Sequence, residues 1–373
     1  MASPDILDFA ALLAPIREDL PTGDDLRQDP SPLSKYQALK TARSAARAAE
    51  RRSMHDGDST EADEYWRKIL TLAPDIIATQ SKDLDVASAL VEALLRRNGF
   101  PGLRDAFKLI LGLIENFWDG LYPMPDEDGM ETRTAPLLGL NGVDSDGVLI
   151  APIRKVPITE GGSQTFNYWQ YNMALETQRG ADEEARASKV EKLGFSLEDV
   201  EKAVSGSSVE FFVNQLDDIT EAINLYKAIA HKLDELCPRD AVPPTRTIIS
   251  ILEECRGAIN HLGKDKFPVE PAPEAATAAE QGNSELAFAT AGTATAAAAG
   301  VNSRESALAK LQEIADYFRK TEPHSPISYI IERSIKWGSM PLNELIVELI
   351  PDASALIHFT QLTGVAADEK SEN

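Results

Sequence analysis

Apolar residues recur every three to four positions along most of this chain, in stripes that prolines interrupt at a few places. Leu84, Ala87, Leu90, Val91, Leu94 and Leu95 form one stripe; Leu103, Phe107, Ile110, Ile114, Phe117, Trp118 and Leu121 form the next. A period near 3.6 commits such segments to helices that bury one face in a shared core. Ala and Leu are plentiful and β-branched runs scarce, which favours the same state. The expected fold class is mostly all-α, with multi-domain helical bundles joined by a flexible Ala/Pro-rich linker. The 373 residues suffice for two or three domains.

The N-terminal segment has a short amphipathic piece (Ile6, Phe9, Leu12, Leu13), then an irregular arm punctuated by Pro15, Pro21, Gly23, Pro30 and Pro32. Prolines at that density exclude a continuous helix. A helix is expected from about Ser34 to Arg52, and the polar stretch Ser53 to Thr60 reads as a loop. Trp66, Ile69, Leu70, Ala73 and Ile77 continue the pattern, with Pro74 expected to kink or restart that helix. Arg96, Arg97 and Gly99 look like a helix C-terminus, where cations suit the dipole and glycine the left-handed cap. Leu137 to Ile158 mixes Gly, Pro and β-branched residues and reads as a domain edge with one short strand pair. A long helix near Ser208–Leu236 then turns at Pro243-Pro244, and the stripe Ile248, Ile251, Leu252, Cys255 returns along it.

From about Phe267 to Asn302 the composition shifts to Ala, Thr, Glu, Gly and Pro, the signature of a tether. Beyond it come a helix capped by Ser303, a second opened by Ser325-Pro326, a third opened by Pro341 and a short fourth. The expected divisions are 1–160, an N-terminal helical domain; 161–266, a middle hairpin; 267–302, a disordered linker; 303–366, a small helical unit; and 367–373, a tail. A unit of some 60 residues has a marginal core. Its surplus of large apolar residues suggests burial against copies of itself, with Ile331, Trp337, Leu345 and Ile346 as self-assembly candidates, or else an ordinary intramolecular core.

A formal net charge of −23 argues against a nucleic-acid or anionic-membrane partner. No apolar run approaches the roughly 18 residues that span a bilayer, so direct membrane insertion is not expected. Cys237 and Cys255 lie outside any CxxC motif, which fits a reducing, cytoplasmic setting. Phosphate-binding, nucleophile-elbow and zinc-protease motifs are all missing, and the five histidines are dispersed. Asp144-Ser145-Asp146-Gly147 fails as a calcium loop because Gly142 and Ile153 occupy ligand positions. The expectation is no enzyme activity, no cofactor and no metal.

Leu13-Ala14-Pro15-Ile16, Leu20-Pro21-Thr22-Gly23-Asp24-Asp25-Leu26 and Asp29-Pro30 resemble the opening of ImpA-type N-terminal domains. Trp66, then Ser81-Lys82-Asp83-Leu84, then Phe117-Trp118 with Pro123, and finally Leu149 to Pro157, follow in that family's order. Ala241-Val242-Pro243-Pro244 is similar to the turn of its second region. Arg319 to Pro326, Ile330 to Ser334 and Trp337-Gly338 resemble the C-terminal domain of the shorter TssA proteins, baseplate-associated components of the bacterial type VI secretion machine. Pro74 and the stretch Asn141–Gly147 depart from the pattern. The resemblance implies a structural assembly role: a homo-oligomeric ring through the C-terminal domain, and contacts with baseplate, membrane-complex and tail tube and sheath proteins. Pro15, Ile16, Pro21, Gly23, Asp25 and Leu26 in the arm are the candidate partner-docking residues, unless the arm simply packs across its own helices. The competing reading is a monomeric helical adaptor that binds a single partner.

Overall fold

The computed structural model describes residues 2–127, 129–162, 164–179, 183–267, 304–321, 327–340 and 345. Among them there are helices, tight turns and isolated β-bridges, with no strand. The chain divides into two compact units, Met1–Glu274 and Ala275–Asn373.

The first unit begins with α1 (Phe9–Leu12), α2 (Lys35–Asp56), α3 (Thr60–Thr79) and α4 (Leu84–Phe117). Ser34 caps α2 by accepting the Gln37 amide, and Gly57, at φ 77°, closes its C-terminus against the Ser53 carbonyl. The helix therefore runs through most of the expected 53–60 loop, and only its last residues before Thr60 form the connection. Pro74 does not restart α3, which is continuous through it. α3 nonetheless lacks the rung that a Pro74 N–H would give to the Leu70 carbonyl. The expected stop at Gly99 is present as a bend: Gly99 adopts φ 61°, ψ −139°, and Pro101 reopens the second half of α4. Between Leu84 and Leu95 every α4 residue except Asp85 is buried, so this segment is the centre of the bundle.

The strand pair expected in 137–158 is replaced by α5 (Met130–Asn141), a tight loop and α6 (Ile150–Arg154). Asn141, the last residue of α5, ties this segment to the next helical hairpin. Its buried Oδ1 accepts the Ile248 amide at 3.0 Å and so caps α11 (Arg246–Gly263), whose own N-cap residue Thr245 contributes no side-chain bond. Gly142 and Gly147 let the chain close behind Asn141, where a Cβ on either would come within about 2.5 Å of backbone atoms.

α7 (Tyr168–Thr177), α8 (Glu183–Leu193), α9 (Leu197–Gly206) and α10 (Val209–Leu236) complete the unit. α10 and α11 form the expected antiparallel hairpin, joined through Ala241–Pro244. One core runs from α2 to α11: α4 lies between α3 and α10, and Phe107 stacks on Tyr226 with centroids 4.6 Å apart. Cys255 is buried in this core, and burial pushes its thiol well up.

In the second unit α12 (Arg304–Thr321) pairs with α13 (Ile327–Ser339). The expected third and fourth helices, and Ile346, lie outside the described residues.

Candidate functional site

Three segments that are far apart in sequence meet at the N-terminus of α4. Thr22 O accepts the Lys82 amide at 2.8 Å, Lys82 O accepts the Tyr122 amide at 3.0 Å, and Tyr122 O accepts the Leu84 amide at 2.8 Å. The Asp24 amide donates to Gln80 O at 3.2 Å. Ser81–Leu84 is thus clamped along both edges, by the arm and by the corner after α4. Gly23 is required there: its φ is 72°, and a Cβ would stand 2.0 Å from the Gln80 carbonyl oxygen.

The side chains of this segment point into the fold. Lys82 is fully buried and its ammonium donates to Leu12 O at 2.7 Å and Ile77 O at 2.8 Å, 5.3 Å from the Phe117 ring centroid. With carbonyls as its hydrogen-bond acceptors, burial brings the ammonium down to about 8. Asp83, also fully buried, caps α4 through the Asp85 and Val86 amides and accepts Arg27 Nη1 at 2.6 Å. Burial raises its carboxyl against the opposing pull of Arg27.

From there a polar network climbs the α2–α4 seam. Tyr36 donates to Asp85 at 3.0 Å, Arg43 bridges Asp85 and Glu92, and Arg47 forks onto Glu92. Burial works to raise the Glu92 carboxyl, but Arg43, Arg47 and Arg96 overcome it and hold it below the usual range. Arg96 also pairs with Glu50, which accepts the Trp66 indole N–H at 2.9 Å, while the guanidinium lies 4.2 Å from the Trp66 ring centroid. A second node ties the N-terminal segment to α4 and α10. Buried Arg104 donates to Asp218, Asp105 and Ser3 O; Asp218 accepts the Ser3 amide and hydroxyl; and Asp105 accepts the Ile6 and Leu7 amides.

Among the described residues no cluster of three His, Cys, Asp or Glu could hold a metal, and no helix is long and apolar enough to cross a membrane.

The arm candidates divide by exposure. Pro15 and Pro21 are exposed, Ile16, Asp25 and Leu26 are half-buried, and Gly23 is buried. The arm folds on itself through the Ile16 amide, which donates to Pro21 O at 2.9 Å, and through the Arg17–Asp24 fork. Asp25 caps the turn that positions Arg27. Trp66 and Phe117 are buried and Trp118 partly so. Of the C-terminal candidates, Ile331, Trp337 and Leu345 are half-buried. Sequence reasoning did not find the buried ion pairs; the signal it had was Glu92, an acid inside an otherwise apolar α4 stripe, opposite two arginines one turn apart on α2.

Residues 13–142, which enclose the whole clamp, match the family model of the ImpA N-terminal domain of the type VI secretion system. The chain is 26% identical, over 352 residues, to the type VI secretion system component TssA1 of Pseudomonas aeruginosa, covering 93% of this chain and 96% of that one. Its fold is similar to the solved N-terminal domain, including the conserved ImpA_N region, of the TssA component from Burkholderia cenocepacia. That likeness has a TM-score of 0.58 at 23% identity and covers 71% of this chain and 98% of that one. Residues 13–142 thus carry the ImpA N-terminal region of type VI secretion, and the chain is similar along nearly all of its length to a TssA component.

Proposed function

We propose that this protein is a non-enzymatic assembly component of the type VI secretion machine, working in the cytoplasm at the baseplate. In this reading it self-associates through its C-terminal unit and presents the first unit to baseplate, membrane-complex and tail proteins. The observation that carries the proposal is the apolar surface of α12 and α13. Tyr317, Tyr329 and Ile330 are each more than 60% exposed, and Ile314 and Ile327 at least 40%. Two short helices that leave five large apolar side chains outside gain from a second copy, which would cover them. Tyrosine and isoleucine at such positions supply rigid contact area at low entropic cost, and closure around an axis would repeat the same contact. Tethered copies then add weak contacts through multivalency.

Multi-angle light scattering on the full chain, on Tyr329→Asp/Ile330→Asp, and on a truncation ending at Phe267 tests this. A discrete oligomer that both changes reduce to monomer is expected. A full-length monomer at micromolar concentration overturns self-assembly and leaves the single-partner adaptor.

A further inference from the structure

The first unit contains an unfilled apolar groove, and its walls are held open. One wall is the N-terminal segment through Ile6, Leu7 and Leu12; the facing wall is α3 through Leu70, Pro74 and Ala78. Leu90 and Leu94 of α4 form the floor, and the space is about 450 Å³. That is room for two or three large side chains, where protein interiors ordinarily leave few voids larger than a water molecule.

Apolar walls flanking a gap of this size gain by closing on each other. Here the N-terminal wall is fixed at both ends by buried charged groups. Arg104 holds Ser3 O at 2.7 Å and Asp105 holds the Ile6 amide at 2.5 Å. At the other end Lys82 holds Leu12 O at 2.7 Å. The wall cannot slide toward α3 without breaking one of these buried bonds, so the groove is preorganised, and Ile6 stays 42% exposed above it.

The polar groups at the mouth set the sign of what fits. The lining includes two carboxylates, Asp8 and Asp75, and no basic residue. Asp75 pairs with Lys35, and one oxygen of exposed Asp8 accepts the Ala11 amide; the whole chain carries a net −23. Leu70 and Pro74, both lining the groove, are the two ends of the missing helical rung in α3.

We propose that this groove is a docking site for an amphipathic helix of another protein, one that seats two or three aliphatic or aromatic anchors between α1 and α3 and carries lysine or arginine beside them. This is the helix-in-groove mode, with anchors at i, i+4 and i+7 supplying contact and the flanking cations meeting Asp8 and Asp75. A second copy of this chain carries the same overall negative charge, and the test below separates it from a partner of opposite charge. The inference goes beyond self-assembly and holds whether or not the C-terminal unit forms a ring.

The probe is a labelled amphipathic peptide of about 15 residues, leucine anchors flanked by lysine, with a glutamate-flanked twin as control. Fluorescence anisotropy uses the full chain, Ala78→Trp to fill the groove, Ala78→Met as a milder filler, Asp8→Asn to remove charge while keeping the cap, and Ile330→Asp. The expected result is saturable binding of the lysine peptide and roughly tenfold weaker binding by Ala78→Trp. Ala78→Met and Asp8→Asn should fall in between, the glutamate peptide should not bind, and Ile330→Asp should change nothing. Equal binding of the two peptides, binding unmoved by both Ala78 variants, or binding lost in Ile330→Asp overturns the proposal. So does no binding at all. A rise in oligomeric mass that Ala78→Trp abolishes would assign the groove to a second copy instead, against the proposal. Because Ile330→Asp also removes the contact on which self-assembly rests, a failure of that reading leaves the peptide result standing.

Discussion

The two units handle charge and apolar surface in opposite ways. The first buries charge: Lys82, Asp83, Glu92, Arg104, Asp105 and Asp218 are each at most 1% exposed and are tied to partners from distant segments. The described part of the second leaves its charges at least partly exposed, with Tyr317, Tyr329 and Ile330 outside beside them. Buried ionic groups cost desolvation and are satisfied in one geometry only, so they specify where the arm, α2, α4 and α10 meet. An exposed apolar helix pair specifies a partner rather than an interior. The first unit therefore has what it needs for a fixed shape, and the second needs something outside its own hairpin.

If that contrast is right, cutting one buried node should cost more than any change on the outer unit. Arg104→Ala leaves Asp105 and Asp218 buried without their shared guanidinium and frees the Ser3 carbonyl. Breaking one partner of a buried pair costs about 3–5 kcal/mol. Urea unfolding followed at the first unit should show a lower midpoint at an unchanged slope. A loss under 1 kcal/mol would mean that the node is decorative and the contrast false.

The helices were legible because the apolar stripes of α4, α10 and α11 have one period and few interruptions, and the turn residues Gly99 and Pro243-Pro244 punctuate them. Boundaries failed where a local cue was outvoted. Ser53 to Asp56 looked polar enough for a loop, yet α2 runs on to the left-handed cap that Gly57 provides. The 137–158 stretch had strand-like composition, but Asn141 reaches across to cap α11, a contact between residues 107 apart that no window can see. The clamp was half legible. Gly23, Ser81–Leu84 and Pro123 could be picked out as a pattern, while their meeting point, and the burial of Lys82 among carbonyls, come only from the fold.

Lys82 gives a second, somewhat smaller test of buried charge. Its ammonium loses a proton near pH 8 in the folded chain, against 10.5 ordinarily. Between those values the unfolded chain binds the extra proton, so stability must rise with pH across that window. Below pH 8 the burial cost is present in full; above 10.5 it is gone. At 1.36 kcal/mol per unit the span is at most about 3 kcal/mol. Tyr36 and Cys255, both raised by burial, act in the opposite sense from their ordinary values of 10.0 and 9.0 upward, inside the same window. The quantity to measure is therefore the stability of the native sequence minus that of Lys82→Met, at pH 7, 8, 9 and 10. The difference should grow in favour of lysine as pH rises. A flat difference would show that Lys82 keeps its ordinary titration and is reached by water.

The weakest expected effect sharpens the contrast most directly, because it uses the same residue type in the other unit. Arg319 joins α12 to α13 by pairing with Glu332, and its guanidinium stands 6.0 Å from the Tyr329 ring centroid. The arginine side chain is 52% exposed and the glutamate 29%. An ion pair that open is screened by water and salt, and its two long side chains lose rotamer freedom in forming it. Such pairs contribute about 0–1 kcal/mol. Arg319→Ala should therefore leave helicity by circular dichroism and the thermal midpoint nearly unchanged, and raising salt in the native chain should do no more. If Arg319→Ala instead melts the hairpin, its helices are held together by charge rather than by contact, and the apolar surface of α12 and α13 loses its claim to be the part of this unit that needs a partner.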